Sequence, residues 1–152
     1  MNDMPKLEDF LCFAVYAAGH ALTRVYKPLL DAIGLTYPQY LVMVSLWQKD
    51  RQTVGQIGEQ LFLESSTLTP LLKRLETAGL VERQRNATDQ RQVHITLTET
   101  GRALRAKACQ IPPCIRTAAG GDVDSLRHLT KVLKQLRVTL DSETPDTDQA
   151  PH

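Results

Sequence analysis

The stretch SSTLTPLLKRLETAGLVERQRNATDQRQVHITLTETGRAL, residues 65–104, changes its hydrophobic period once and then changes back. Leu68, Leu71, Leu72 and Leu75 recur at helical spacing until Gly79 ends the pattern. Leu80 and Val81 lead into a polar stretch, and Val93, Ile95 and Leu97 then alternate as strand residues do. The pattern predicts a helix capped by Ser65 or Ser66 and running to about Ala78. A two-stranded hairpin follows, turning around Asn86–Asp89. Thr98 and Glu99 open another helix, TETGRALRAKACQI.

Upstream, Thr53 and Gln56 form a capping box for a helix in TVGQIGEQLFL. Thr36 and Gln39 form another for TYPQYLVMVSLWQ, with Pro38 in the first turn, where a missing N–H costs nothing. Leu7 to Lys27 reads as a long helix, with Leu11, Ala14, Val15, Ala18, Leu22, Val25 and Leu29 forming its stripe. Pro28 is expected to end or kink it, with a short helical piece to Ile33 and a stop at Gly34. Phe10, Phe13 and Ala17 lie off the stripe, so its first half is apolar nearly all round. Such a helix needs burial on most sides, and a subunit interface supplies that.

Downstream, Pro112 and Pro113 interrupt the helix that Thr98 opens, with Cys109 mid-helix and Cys114 just past the break. After Gly120-Gly121, a final helix capped by Asp122 carries Val123, Leu126, Leu129, Val132, Leu133, Leu136 and Leu140 on one face. The fold class is mainly α with a small β-hairpin wing: a winged helix-turn-helix over about 36–98, flanked by helical segments at about 5–34 and 99–140.

The 152 residues suit one domain, and 23% charged with 42% hydrophobic residues is ordinary globular composition. No apolar run approaches the roughly 20 residues that span a bilayer, and the N-terminus lacks a secretory pattern, so the cytoplasm is the expected compartment. The net charge of +1 is uneven. Asp141, Glu143, Asp146 and Asp148 make residues 141–152 an acidic tail, expected to be disordered. The body is mildly basic. Three cysteines are too few for a disulfide scaffold. His20, His94, His128 and His152 have no ligand-type spacing, and neither a metal nor a cofactor is expected. Trp47 reads as core or pocket lining.

A recognition helix reaches base edges from its N-terminal residues, and Ser65, Ser66, Thr67, Thr69, Lys73 and Arg74 are suited to that. The hairpin adds Arg83, Arg85 and Arg91, and a wing arginine can enter the minor groove, where the potential is most negative. The expected partner is double-stranded DNA.

The quoted stretch resembles the core of the MarR-type winged-helix repressors. It has a Thr-rich recognition helix, LETAGLVER, an Asp-x-Arg at the wing and LTETG opening the next helix, and the resemblance covers most of residues 5–140. It implies a homodimer, with the flanking segments at about 5–34 and 99–140 as dimerisation helices, reading a pseudo-palindromic operator, with Asp89 holding Arg91 in place in the minor groove.

Cys12 lies in EDFLCFAVY (8–16). A cysteine among apolar residues is usually a packed small hydrophobe, and a reactive thiol needs donors or positive charge nearby. Tyr26 is fourteen residues further on, pointing roughly the same way but about 21 Å along the axis. Any help it gives Cys12 must come from the partner subunit. Cys12, Tyr26 and Tyr37, with RVYKPLL and GLTYPQYLVM, are similar to the organic-hydroperoxide-sensing (OhrR) branch of the family. That resemblance implies a peroxidatic Cys12, hydrogen-bonded by Tyr26 and Tyr37 of the other subunit, with Tyr16 a weaker member. Phe10, Phe13 and Met43 would form the apolar pocket for an organic hydroperoxide. Cys114 is favoured as the resolving thiol of an intersubunit disulfide, with Cys109 the alternative. Two other readings compete: a repressor released by a non-covalent phenolic ligand, and a thiol peroxidase. The expectation is a regulator and not an enzyme.

Overall fold

A computed structural model describes residues 4–89 and 91–143. The chain divides into two compact units, residues 1–111 and 112–152.

In the first unit, a 3-10 turn at Leu7–Asp9 precedes α1 (Leu11–Asp31). Phe10 is extended and serves as the N-cap, so α1 starts four residues later than the expected Leu7. It also runs through Pro28, because the Pro28 carbonyl still accepts from the Ala32 N–H at 3.3 Å. Its end is a reversed loop in which the Leu35 N–H donates to Leu30 O at 3.1 Å around Gly34.

α2 (Tyr37–Gln48) and α3 (Val54–Leu61) each carry both halves of the capping boxes read from Thr36/Gln39 and Thr53/Gln56. α4 (Ser65–Thr77) is capped differently from expectation. Glu64 is the extended N-cap and no side chain caps the helix, because Ser65 and Ser66 are already helical. At its other end the Leu80 N–H donates to Leu75 O at 3.1 Å, with Gly79 at φ +73°, a conformation open to glycine. Leu68, Leu71, Leu72 and Leu75 face the core.

The expected hairpin is β2 (Val81–Arg85) and β3 (Val93–Leu97), but the sheet has a third strand, β1 (Gln52–Thr53). The order is β1-β3-β2, all antiparallel, with Gln52 opposite Ile95 and Val81 opposite Leu97. α5 (Glu99–Ala108) starts at Thr98, whose side chain accepts from the Gly101 N–H at 3.0 Å. Gly101 packs against the wing base so closely that a Cβ there would lie 2.0 Å from Leu80 O.

α5 ends at Ala108 with Cys109 as its C-cap, so Cys109 is not mid-helix. α6 (Ile111–Ala118) then takes Pro112 and Pro113 into its first turn, where proline fits, and Cys114 is helical instead of lying beyond a break. In the second unit, α7 (Val123–Glu143) begins at Asp122, whose carboxylate accepts from the Ser125 N–H. It includes the first three residues expected in the tail; residues 144–152 lie outside the described residues.

The core of the first unit gathers Val42, Met43, Leu46, Ile57, Leu68, Leu75 and Ile95. The two long helices bury little of themselves. Leu30 is the one buried residue of α1, none of α7 is buried, and Leu11, Leu22, Leu129 and Leu133 stand exposed.

Candidate functional site

The reading head is built from α3, α4 and the β2–β3 hairpin. Burial of the four leucines of α4 turns its other side outward, so Ser65, Ser66, Thr67, Thr69, Lys73 and Arg74 are all exposed. Arg83, Arg85, Asp89 and Arg91 are exposed on the hairpin. Arg83 is not free there: its Nε lies 3.4 Å from a carboxylate oxygen of Glu76, tying the base of the wing to α4. Asp89 does brace the wing tip, but through the main chain. Its Oδ1 accepts from the Arg91 N–H at 3.0 Å, and the Asn86 side chain accepts from the Thr88 N–H at 3.2 Å. Such turns hold the loop while leaving the Arg91 guanidinium to reach outward.

A second cluster was not legible in the chain. The Asp50 carboxylate accepts from the Leu97 N–H at 2.9 Å and the Arg51 N–H at 2.8 Å, and it pairs with Arg102 at 2.9 Å. Burial works against the charge, but these donors outweigh it and hold the carboxyl below the ordinary carboxylate range. Nearby, Trp47 Nε1 donates to Gly101 O at 2.9 Å, and Gln52 Nε2 donates to Ser45 O at 3.1 Å. The end of α2 is thereby fastened to α5 and to the start of β1.

The thiol region centres on α1. Cys12 is its second residue. The first α-helical bond runs from the Ala14 N–H to Phe10 O, so the N–H groups of Leu11, Cys12 and Phe13 have no partner within the helix. The positive end of the helix dipole lies there, which favours an anion. The late start of α1 moves Cys12 from the sixth residue of the expected helix to the second of the observed one. Cys12 is exposed in the single chain, as are Cys109 and Cys114.

Tyr26 lies near the other end of α1. Its ring stacks on Tyr37 with centroids 4.8 Å apart and lies 6.1 Å from Tyr40. Burial, then the Tyr37 and Tyr40 phenols, push the Tyr26 phenol up to about 12, so it remains a neutral donor at any physiological pH. Tyr16 is exposed and stacks edge-on against His20 at 4.3 Å. An open cleft of about 380 Å³ runs along α1 past Val15, Tyr16, Gly19, His20, Leu22 and Thr23 to Tyr26 and Tyr37. The chain thus brings Tyr16, Tyr26 and Tyr37 to one cleft but does not bring Cys12 to it. Phe10 and Phe13 are partly exposed near Cys12. Met43 is a correction: it has no exposed surface and belongs to the core, because α2 is covered on nearly every side. Gly19, His20 and Thr23 were missed, although their spacing with Tyr16 and Tyr26 places them on one helical face.

Among the described residues no helix is long and apolar enough to cross a membrane, and no group of three His, Cys, Asp or Glu is placed to hold a metal ion.

A helix-turn-helix followed by a basic, braced wing defines a winged-helix DNA-binding regulator. The comparisons narrow this. The family model of the SarA/Rot transcriptional regulators matches residues 24–107. The chain is 46% identical over 138 residues to the organic hydroperoxide resistance transcriptional regulator of Bacillus subtilis (strain 168), covering 91% of this chain and 94% of that protein. It is also 46% identical over 147 residues to the HTH-type transcriptional regulator TtmR of Methylorubrum extorquens (strain PA1), covering 97% of this chain and 75% of that one. Among solved structures it is similar to reduced AbfR bound to DNA (TM-score 0.73, 36% identity, 86% of this chain and 91% of that one). It is similar as well to disulfide-formed AbfR (TM-score 0.61, 38% identity, 87% and 88%). The chain belongs to the SarA/Rot- and MarR-type family of winged-helix transcriptional regulators.

Proposed function

We propose that the chain is a homodimeric repressor that leaves its operator when an organic hydroperoxide oxidises Cys12. The observation that carries this reading is the place of Cys12, exposed in the first turn of α1 beside N–H groups that have no partner within the helix. The thiolate attacks one peroxide oxygen. An S–O bond forms, the O–O bond breaks, and the alkoxide leaves and takes up a proton as the alcohol. Cys12 becomes a sulfenic acid, oxidised by two electrons, while the peroxide is reduced. A second thiol, Cys114 of the partner subunit, then attacks that sulfur; the disulfide forms and water leaves.

Tyr26 cannot reach Cys12 within one chain, since α1 is continuous between them and separates them by about 21 Å. In a dimer with its first helices crossed, the cleft at Tyr26 and Tyr37 of one subunit receives Cys12 of the other. The exposed apolar faces of α1 and α7 are suited to that association. The 46% identity to an organic hydroperoxide resistance regulator and the likeness to AbfR, known reduced on DNA and with a disulfide formed, support the same chemistry here. On the DNA, the N-terminal residues of α4 read the major groove and Arg91 enters the minor groove.

The test is a gel-shift titration of operator DNA with and without cumene hydroperoxide. The parent protein releases DNA on oxidation, and Cys12→Ser stays bound. Release by Cys12→Ser would overturn the redox reading in favour of a non-covalent ligand in the cleft. Sustained turnover of peroxide with a dithiol, without DNA affinity, would favour a thiol peroxidase.

A further inference from the structure

We infer that Asp50 is a positioning residue for DNA recognition: its carboxylate fixes the wing against the body of the reading head, so that Arg91 is presented at the right height for the groove. The inference rests on the reading that Arg91 contacts DNA.

Three features of the geometry lead there. β1 is only two residues long and pairs with β3 at Ile95 and His94. Further along β3, Leu97 has no β1 residue opposite it. Asp50, two residues ahead of β1, supplies the missing partner with its side chain, accepting from the Leu97 N–H at 2.9 Å. The carboxylate therefore stands in for the next rung of the ladder. Its second oxygen holds Arg102 of α5 at 2.9 Å, and its first also accepts from the Arg51 N–H at 2.8 Å. That last bond holds Arg51 at φ +58°, a backbone conformation uncommon for a residue with a side chain. One side chain so joins the end of α2, the central strand of the wing and α5. These contacts surround the base of the wing, while Arg91 lies beyond the far end of β3. A small change of angle at the base is magnified at the tip.

The charge matters as well as the shape. The three groups bonded to the carboxylate, the Arg51 and Leu97 N–H groups and the Arg102 guanidinium, are all donors, and an amide in its place would turn an N–H group toward one of them. Asp50→Asn is therefore close in size but wrong in hydrogen bonding.

The experiment is a double-mutant cycle in operator affinity on the full-length reduced protein, using the parent, Asp50→Asn, Arg91→Ala and the double variant, each checked for folding by circular dichroism. Arg91→Ala is expected to weaken binding about tenfold or more, and Asp50→Asn about tenfold. The double variant should be within about twofold of Arg91→Ala alone, since a misplaced arginine and an absent one cost the same. A merely structural role would give independent losses, with the double variant weakened by the product of the two, and that result overturns the inference. Arg91→Ala binding as tightly as the parent would overturn the DNA-contact reading of the wing, and this inference with it. Should Asp50→Asn fail to fold, Arg102→Gln replaces it in the cycle. It removes one partner of the carboxylate and leaves both main-chain bonds, so a smaller loss, again absent in the Arg91→Ala background, is expected.

Discussion

The Tyr26 and Tyr37 rings lie 4.8 Å apart between centroids, joining the far end of α1 to the first residue of α2. Both phenols line the cleft, and if they donate to the sulfur of the partner subunit's Cys12, each removal costs one hydrogen bond to a charged group. Such a bond contributes about 1.5–3 kcal/mol. Tyr26→Phe or Tyr37→Phe should therefore slow Cys12 oxidation by cumene hydroperoxide at least about tenfold, while reduced protein binds the operator as before. Stopped-flow loss of thiol measures this, and unchanged rates in both variants would remove the tyrosines from the chemistry.

The elevated Tyr26 phenol has its own consequence. Folding favours its neutral form, so this contribution to stability is complete below the unfolded-state value of about 10. It is lost as pH rises toward about 12, where the folded-state phenol ionises. Ultraviolet titration should show a late phase of tyrosine ionisation near pH of about 12 that Tyr26→Phe diminishes, and that variant should be the more resistant to alkaline unfolding. A titration in which all tyrosines ionise together contradicts the burial argument.

Asp50 has the opposite sign. Its folded-state carboxyl is held low, so its contribution is present above the unfolded-state value of about 4 and is lost as pH falls through the folded-state value. Asp50→Asn should cost about 1 kcal/mol near neutrality, a figure kept small because the side chain is one-third exposed. The gap between parent and variant should close below pH of about 4. Guanidinium melts at neutral and acid pH measure this, and a gap that does not change with pH would contradict it.

The parts of this structure that were legible in the chain are those set by a few neighbouring residues. The Thr36/Gln39 and Thr53/Gln56 boxes, the glycine stops and the leucine face of α4 depend on local spacing alone, and they stand as read. β1 was invisible because two residues have no period; the strand exists only through its pairing with β3. The start of α1 was misplaced because apolar residues continue ahead of the helix, at the extended Phe10 and at Leu7 in the 3-10 turn. That error placed Cys12 in the second turn of the helix, whereas it stands in the first. Met43 was taken for pocket lining because a helix covered on nearly every side leaves no stripe to show which face is innermost. The Asp50 clasp joins residues 50, 97 and 102, and nothing in the spacing of a chain reports such a contact.

Gly101 is a packing requirement. A Cβ there would meet Leu80 O at 2.0 Å, and backbone cannot step aside as a side chain can. Gly101→Ala should cost about 3 kcal/mol or more, lowering Tm by about 10 °C. Gly55→Ala, where the nearest atom is Thr53 Oγ1 at 3.9 Å, is the control and should be close to neutral or mildly stabilising. Equal melting temperatures for the two variants would contradict the packing argument.

The two late thiols stand at opposite kinds of helix end. Cys109 closes α5 as its C-cap, at the negative end of that helix. Cys114 is the fourth residue of α6, at the positive end, but Pro112 and Pro113 remove two of the N–H groups that would otherwise serve it. The proposed switch takes Cys114, which is exposed in the first turn of α6, as the second thiol. After cumene hydroperoxide, non-reducing gels should show a cross-linked dimer for the parent and Cys109→Ser and none for Cys114→Ser or Cys12→Ser. A dimer persisting in Cys114→Ser but lost in Cys109→Ser would transfer the role to Cys109. Its persistence in both would mean that either thiol can reach the sulfenic acid once the peroxide has reacted.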